Sequence, residues 1–263
     1  MIRVRPSGIL PLELWDLRVG TGILWDHMSQ ANFGQVLKHS LMQVWEGQGV
    51  TRSEGLVPEY VRHFQGLYLA GGGAENVMAN LWDGPWSKTH LCTAQHFAGE
   101  AGGNFLLGEY GLRGWILDLG QSALKISTAG HQQTWPRDLT RLPIRENGAS
   151  SLESAQRAEL RHFLAEALLT FRYTVDHLPE GLVCALPSRL DDAGVPEGSS
   201  YIGMGGDANL LPEALALAGL GQTQLLVLND AELAATSAQL DPQVQGRTLV
   251  LTLGFGVGAA LIT

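Results

Sequence analysis

Five short apolar runs constrain the fold most: "GLYLA" (66–70), "GWILDL" (114–119), "LVCAL" (182–186), "QLLVL" (224–228) and "TLVLTL" (248–253). Each is too short for a buried helix and reads as a strand covered on both faces. Segments of helical periodicity lie between them. "NFGQVLKHSLMQVW" puts Phe33, Val36, Leu37, Leu41, Val44 and Trp45 on one face. Residues 150–175 do the same with Leu160, Phe163, Leu164, Ala167, Leu168, Phe171 and Val175, and Ser150 followed by Glu153 is a capping-box start. This alternation predicts an α/β architecture with mixed or parallel sheets. Two turn-rich stretches, 142–150 and 191–200, read as loops.

A chain of 263 residues with 45% hydrophobic and 16% charged residues can bury one or two cores. Its net charge of -9 argues against nucleic acid as a partner. A small phosphorylated ligand remains compatible, because backbone N–H groups suffice to hold it. Two cysteines, Cys92 and Cys184, make neither a disulfide framework nor a zinc knuckle, and suit a cytoplasmic location. The first residues lack the pattern of a signal peptide, no run reaches the length of a membrane span, and the histidines show no metal-ligand spacing.

Four segments carry candidate chemistry. In "LDLGQSALK", Asp118 ends an apolar strand and Gly120 allows a tight turn whose amides can face an anion. A carboxylate beside phosphate calls for a bridging Mg²⁺, although Asp is also an ordinary turn former. "TLVLTLGFGVGAALIT" matches the dinucleotide fingerprint in letters, but no acid follows at the required distance. We read it as a glycine hairpin with "VGAALIT" as the return strand. In "LVLNDAELAA", Asp230 stands between a strand and an alanine-rich helix, placed either as a general base or within an N-cap with Asn229 and Glu232. In "LYLAGGGAEN", Gly71, Gly72 and Gly73 let a flat ligand or phosphate approach the backbone before a helix that starts near Glu75 or Asn76.

Together the four segments resemble the sugar kinase, actin and heat-shock chaperone superfamily, most closely its ROK sugar-kinase branch. The resemblance implies a two-lobed actin-like ATPase (ribonuclease H-like) fold, each lobe built as βββαβαβα, with ATP and substrate in the cleft between lobes. It implies that Asp118, Gly120, Gln121, Ser122 and Lys125 form the first phosphate hairpin, with Asp118 holding Mg²⁺ through water. Gly254, Gly256 and Gly258 would form the second phosphate hairpin, and Gly71, Gly72, Gly73 and Asn76 the adenosine motif. Asp230 would be the catalytic base, with Asn229 beside it on the substrate.

The implied activity is Mg·ATP-dependent phosphoryl transfer to a sugar hydroxyl, with ATP and Mg²⁺ as cofactors and no zinc. A small-molecule sugar would be the partner, with neither nucleic acid nor membrane, in a family that commonly forms homodimers. Phe255, standing where the family carries a hydroxyl residue, favours an alternative: an impaired nucleotide- or sugar-binding sensor or scaffold. Gln121 likewise replaces a glycine of the first turn, and Asp16, Asp26 and His27 are positional guesses for sugar contacts.

The motifs come in an unusual order, with the adenosine motif first and the second phosphate hairpin last. The resemblance therefore implies a circular permutant. One lobe would comprise 1–113 with 246–263 and the other 114–245, with "MIRVR" pairing with "VGAALIT" or lying beside it, so that the two termini sit at one sheet.

Overall fold

The computed structural model describes residues 1–12, 30–47, 59–92, 97–120, 122–138, 140, 153–199, 206–254 and 257–263. In chain order its strands begin with β1 (Ile2–Arg3), β2 (Ile9–Leu12), β3 (Gly66–Ala70) and β4 (Lys88–Leu91). The central strands are β5 (Gly114–Leu119), β6 (Ala123–Thr128), β7 (His131–Pro136) and β8 (Gly181–Leu186). Then come β9 (Ser188–Leu190), β10 (Pro196–Ser199), β11 (Gln224–Asn229), β12 (Thr248–Leu253) and β13 (Val257–Ile262). Its helices are α1 (Gln30–Glu46), α2 (Ala74–Leu81), α3 (Glu100–Glu109), α4 (Glu153–Thr174), α5 (Leu210–Leu217) and α6 (Asp230–Gln239).

The protein is thus mixed α/β, and it divides into two compact units: Met1–Arg5 with Gly103–Asp230, and Pro6–Gly102 with Ala231–Thr263. The divisions expected at 113/114 and 245/246 fall instead inside α3, at 102/103, and at the first residue of α6, at 230/231.

In the first unit the sheet order is β1-β11-β8-β5-β6-β7. β5, β6 and β7 form an antiparallel meander, and β8 and then β11 add parallel on the β5 side. One face is a core of Trp115, Leu117 and Leu119, Leu124 and Ile126, and Leu182, Cys184 and Leu186. It packs against Leu160, Leu164, Leu168 and Phe171 of α4 and Leu211 and Leu215 of α5. Those α4 residues recur at intervals of three and four because that spacing keeps them on one side of a helix.

In the second unit the sheet order is β2-β13-β12-β3-β4. β12, β13 and β2 form an antiparallel meander, and β3 and then β4 add parallel on the β12 side. Leu249, Leu251 and Leu253 face Phe33, Leu37, Leu41 and Val44 of α1 and Val77 and Leu81 of α2. The opposite face carries Tyr68, Ala70, Val250 and Ala260 against Ala231, Ala234, Ala235 and Ala238 of α6.

Two expectations need correction. "MIRVR" does not pair with "VGAALIT": Ile2 and Arg3 lie parallel to Leu226 and Val227 as an edge strand of the first unit's sheet. The strand beside β13 is Ile9–Leu12, and Thr263 N–H donates to the Gly8 carbonyl at 2.9 Å. The stretch 191–200 is not all loop, because Pro196–Ser199 forms β10 antiparallel to β9. The turn expected at 142–150 and the cap residue Ser150 lie outside the described residues.

Candidate functional site

The first unit collects its candidates at the carboxyl ends of its parallel strands. Asp118 stands directly opposite Lys125 across the β5–β6 hairpin, because a sequence separation of seven around a tight turn brings those two positions into register. The Lys125 Nζ is 3.6 Å from Asp118 Oδ2, and the Asp118 side chain is 20% exposed. Burial holds the Asp118 carboxyl above the ordinary carboxylate range, and the nearby Lys125 ammonium only partly offsets it. Gly120 and the exposed Ser122 flank the turn, whose exit is fixed by Arg137 N–H donating to the Ser122 carbonyl at 2.8 Å. Gln121 lies outside the described residues.

Asp118 is in register with Ala185 on β8, and Ala185 with Leu228 on β11. Two strand spacings therefore separate Asp118 from the end of β11, roughly 10 Å across the sheet. There Asn229 spends its side-chain N–H groups on the carbonyls of Leu186 (3.2 Å) and Ser188 (3.0 Å), pinning the bend between β8 and β9. Asp230 follows as the first residue of α6 and is half-buried.

The second unit brings together the glycine segments. Thr252 on β12 is in register with Ala70 on β3, so Gly71 and Gly254 leave adjacent parallel strands about one residue apart in level. Gly71 has φ +90°, and a Cβ there would lie 2.6 Å from the Leu253 carbonyl oxygen. Only glycine fits such a position. Gly73 N–H donates to that same oxygen at 2.8 Å, and α2 begins at Ala74 with no side-chain cap on its first turn. A Cβ at Gly72 or Gly254 would meet none of the described residues within 4 Å, so they leave the backbone there open to close approach. Gly258 faces Thr252 across the hairpin, and Asn76 is exposed on α2. Gly256 and Phe255 lie outside the described residues, as do Asp16, Asp26 and His27.

The return strand β13 is antiparallel to β12, which is the hairpin expected and not the helix that a dinucleotide fingerprint requires. Among the described residues no group of three or more His, Cys, Asp or Glu is placed to hold a metal ion. No described helix is long and apolar enough to cross a membrane.

One residue escaped the sequence reading. Thr252 Oγ1 is shut away from solvent and has no hydrogen-bond partner among the described residues. A signal for it existed: "LDLG" (117–120) and "LTLG" (251–254) share a pattern in which Thr252 takes the place of Asp118.

No family model, no curated protein and no solved structure matches this chain.

Proposed function

We propose that the chain is a circularly permuted protein of the two-lobed actin-like, ribonuclease H-like ATPase class. On this reading it is a Mg·ATP-dependent kinase that transfers a phosphoryl group to a hydroxyl of a sugar or sugar derivative. The observation that carries the reading is the duplicated strand order. Each unit has a three-stranded meander with parallel strands added beside the meander's first strand, β8, β11 and β1 in one and β3 and β4 in the other, and in each a glycine turn follows that first strand. In the second unit β2 completes the meander but precedes β12 and β13 in the chain, as permutation requires.

The residues present fit a nucleotide. The open backbone at Gly72 and Gly254 suits phosphate oxygens, which bare amides and glycine turns accept. Magnesium commonly takes one or two carboxylates together with substrate phosphates, so Asp118 alone suffices as its protein partner. Bound there, the metal would neutralise developing charge on the transferred phosphoryl group. Lys125, opposite Asp118, adds a cation to the same hairpin.

Asp230 would accept the acceptor's hydroxyl proton, a task that needs hydrogen-bond reach before any special acidity. Asn229, whose amide N–H groups are held by the Leu186 and Ser188 carbonyls, would stand beside Asp230 at the substrate. The expected test is ADP release over a sugar panel. A sugar-dependent rate that falls about 10²- to 10⁴-fold in Asp230→Asn supports the kinase. Nucleotide binding with no turnover for any sugar favours the second reading, a sensor or scaffold, for which Phe255 in the second turn speaks.

A further inference from the structure

We propose that β7 is an interface between two copies of this chain, which pair strand to strand and antiparallel about a two-fold axis at Gln133. The inference is independent of the nucleotide reading.

Among the described residues the two large sheets have four edges, and three of them are blunted. β1 is two residues long, β2 carries Pro11, and β4 is four residues long and begins with the exposed Lys88. Short strands, proline and lysine keep an edge from pairing with another chain. β7 is the longest of the four, and its side chains from His131 to Trp135 include no Asp, Glu, Lys or Arg. Its register with β6 runs without a bulge, and Pro136 comes only at its end. The strand is also held in place, because the rings of His131 and Trp135 lie 5.3 and 6.2 Å from the buried ring of Phe171.

The hydrogen-bond phase of this edge is set by its neighbour. Arg137 N–H donates to the Ser122 carbonyl at 2.8 Å, so the backbone of Arg137, and by alternation of Trp135, Gln133 and His131, faces β6. The N–H and C=O groups of Gln132 and Thr134 therefore point away from the sheet. Both residues are exposed, and no described strand pairs with them. Pro136 falls on the same outward side, where its missing N–H takes nothing from the pairing with β6.

A second copy completes this edge. An axis at Gln133 sets Gln132 of one copy opposite Thr134 of the other. Both are outward residues, so each such pair exchanges both of its N–H···O bonds, and the symmetry forms the pair twice. His131 then stands across from the other copy's Trp135 in a closely spaced pair, on the side of the sheet that α4 covers. The strand is thus complementary to itself, which an isologous contact requires. Two copies of a chain with net charge -9 repel one another overall, and an uncharged strand lets them touch without setting like charges opposite. The sheet's other edge is the two-residue β1, so pairing closes at a dimer instead of growing into a fibre. A strand edge buries less than the roughly 1,000 Å² of a tight interface, so the dimer should dissociate in the micromolar range.

Sedimentation velocity of wild type and variants, from about 1 to about 500 μM, tests the proposal. Thr134→Pro removes one outward N–H from each copy and no bond to β6. The expected result is a dimer that forms across this range in wild type and is weakened about 10- to 100-fold in Thr134→Pro. A second pair of variants leaves the backbone alone. Gln132→Glu with Thr134→Glu sets like charges opposite each other across the axis and should abolish the dimer. Gln132→Lys with Thr134→Glu sets opposite charges there and should restore it. Circular dichroism confirms that each variant is folded.

A wild type that stays monomeric throughout the range overturns the proposal. A dimer that survives Gln132→Glu with Thr134→Glu also overturns it, because the copies then meet elsewhere. If Gln132→Lys with Thr134→Glu dimerises no better than the doubly acidic variant, the axis at Gln133 is wrong and the proposal fails.

Discussion

The two units repeat one strand order with different chemistry at the same positions. In the first, the meander hairpin carries an ion pair, Asp118 with Lys125, and the parallel strand β11 ends in Asn229 and runs into Asp230. In the second, the corresponding hairpin carries Thr252 and Gly258, and the neighbouring parallel strand ends in three glycines. The scaffold fixes where the ends of strands point and leaves the residues at those ends to differ. Charge is concentrated in one copy and exposed backbone in the other.

The sharpest way to break the comparison lies at the opposite end of the same strands. Gly114 is paired with Gly181 in the first unit, and Thr248 with Gly66 in the second, at equivalent register positions. A Cβ on Gly114 would fall on the Gly181 carbonyl, which is backbone and cannot rotate away. A Cβ on Gly66 would come within 2.8 Å of Thr248 Oγ1, a side-chain atom that can turn aside. Gly114→Ala should therefore cost about 3 kcal/mol or more, and Gly66→Ala about 1 kcal/mol, by urea denaturation. Equal losses would contradict the different contacts that the structure gives these two glycines.

A smaller effect concerns Asp118. Its folded carboxyl binds a proton more tightly than it does in the unfolded chain, so ionisation works against folding. The penalty is fully present above the raised folded value and disappears as pH falls to the ordinary unfolded value near 4. In metal-free buffer Asp118→Asn should melt higher than wild type at neutral pH, and the gain should shrink through that acidic window. Thr252→Val should show no such pH dependence. A gain in Asp118→Asn that persists below pH 4 would contradict the assignment.

The smallest expected effect separates the two cysteines, one in each unit. Burial first, and the Asp118 carboxylate second, push the Cys184 thiol well up, so it stays protonated and inert. Cys92 is only partly buried. Alkylation of the folded protein should leave Cys184 unmodified until denaturant is added, and mass spectrometry of the peptides would show it.

What was legible in the sequence follows from burial. β3, β5, β8, β11 and β12 are covered on both faces, so their apolar runs mark them without ambiguity. The missed strands lack that mark. β7, "HQQTWP", is an edge strand with mostly exposed side chains, and β2 holds Pro11, which an edge position tolerates. β1 was assigned to the wrong sheet because two residues carry no register information of their own. Their partner, β11, lies more than two hundred residues away in the chain.

The same logic applies to the candidate residues. Asp118, Asp230 and the glycines stand out against strand neighbours by residue type. Thr252 does not, because threonine is an ordinary strand former. Asn229 was legible by type, but not its hold on the Leu186 and Ser188 carbonyls, which depends on the parallel β8–β11 pairing.

The most direct test of the central claim is calorimetric titration of Mg·ATP into wild type and Asp118→Ala. The account predicts binding in the micromolar range by wild type and loss of at least tenfold in affinity in the variant, as removal of a metal-holding carboxylate should cause. A folded wild type that shows no binding at millimolar nucleotide, or an Asp118→Ala variant that binds as wild type does, would contradict it.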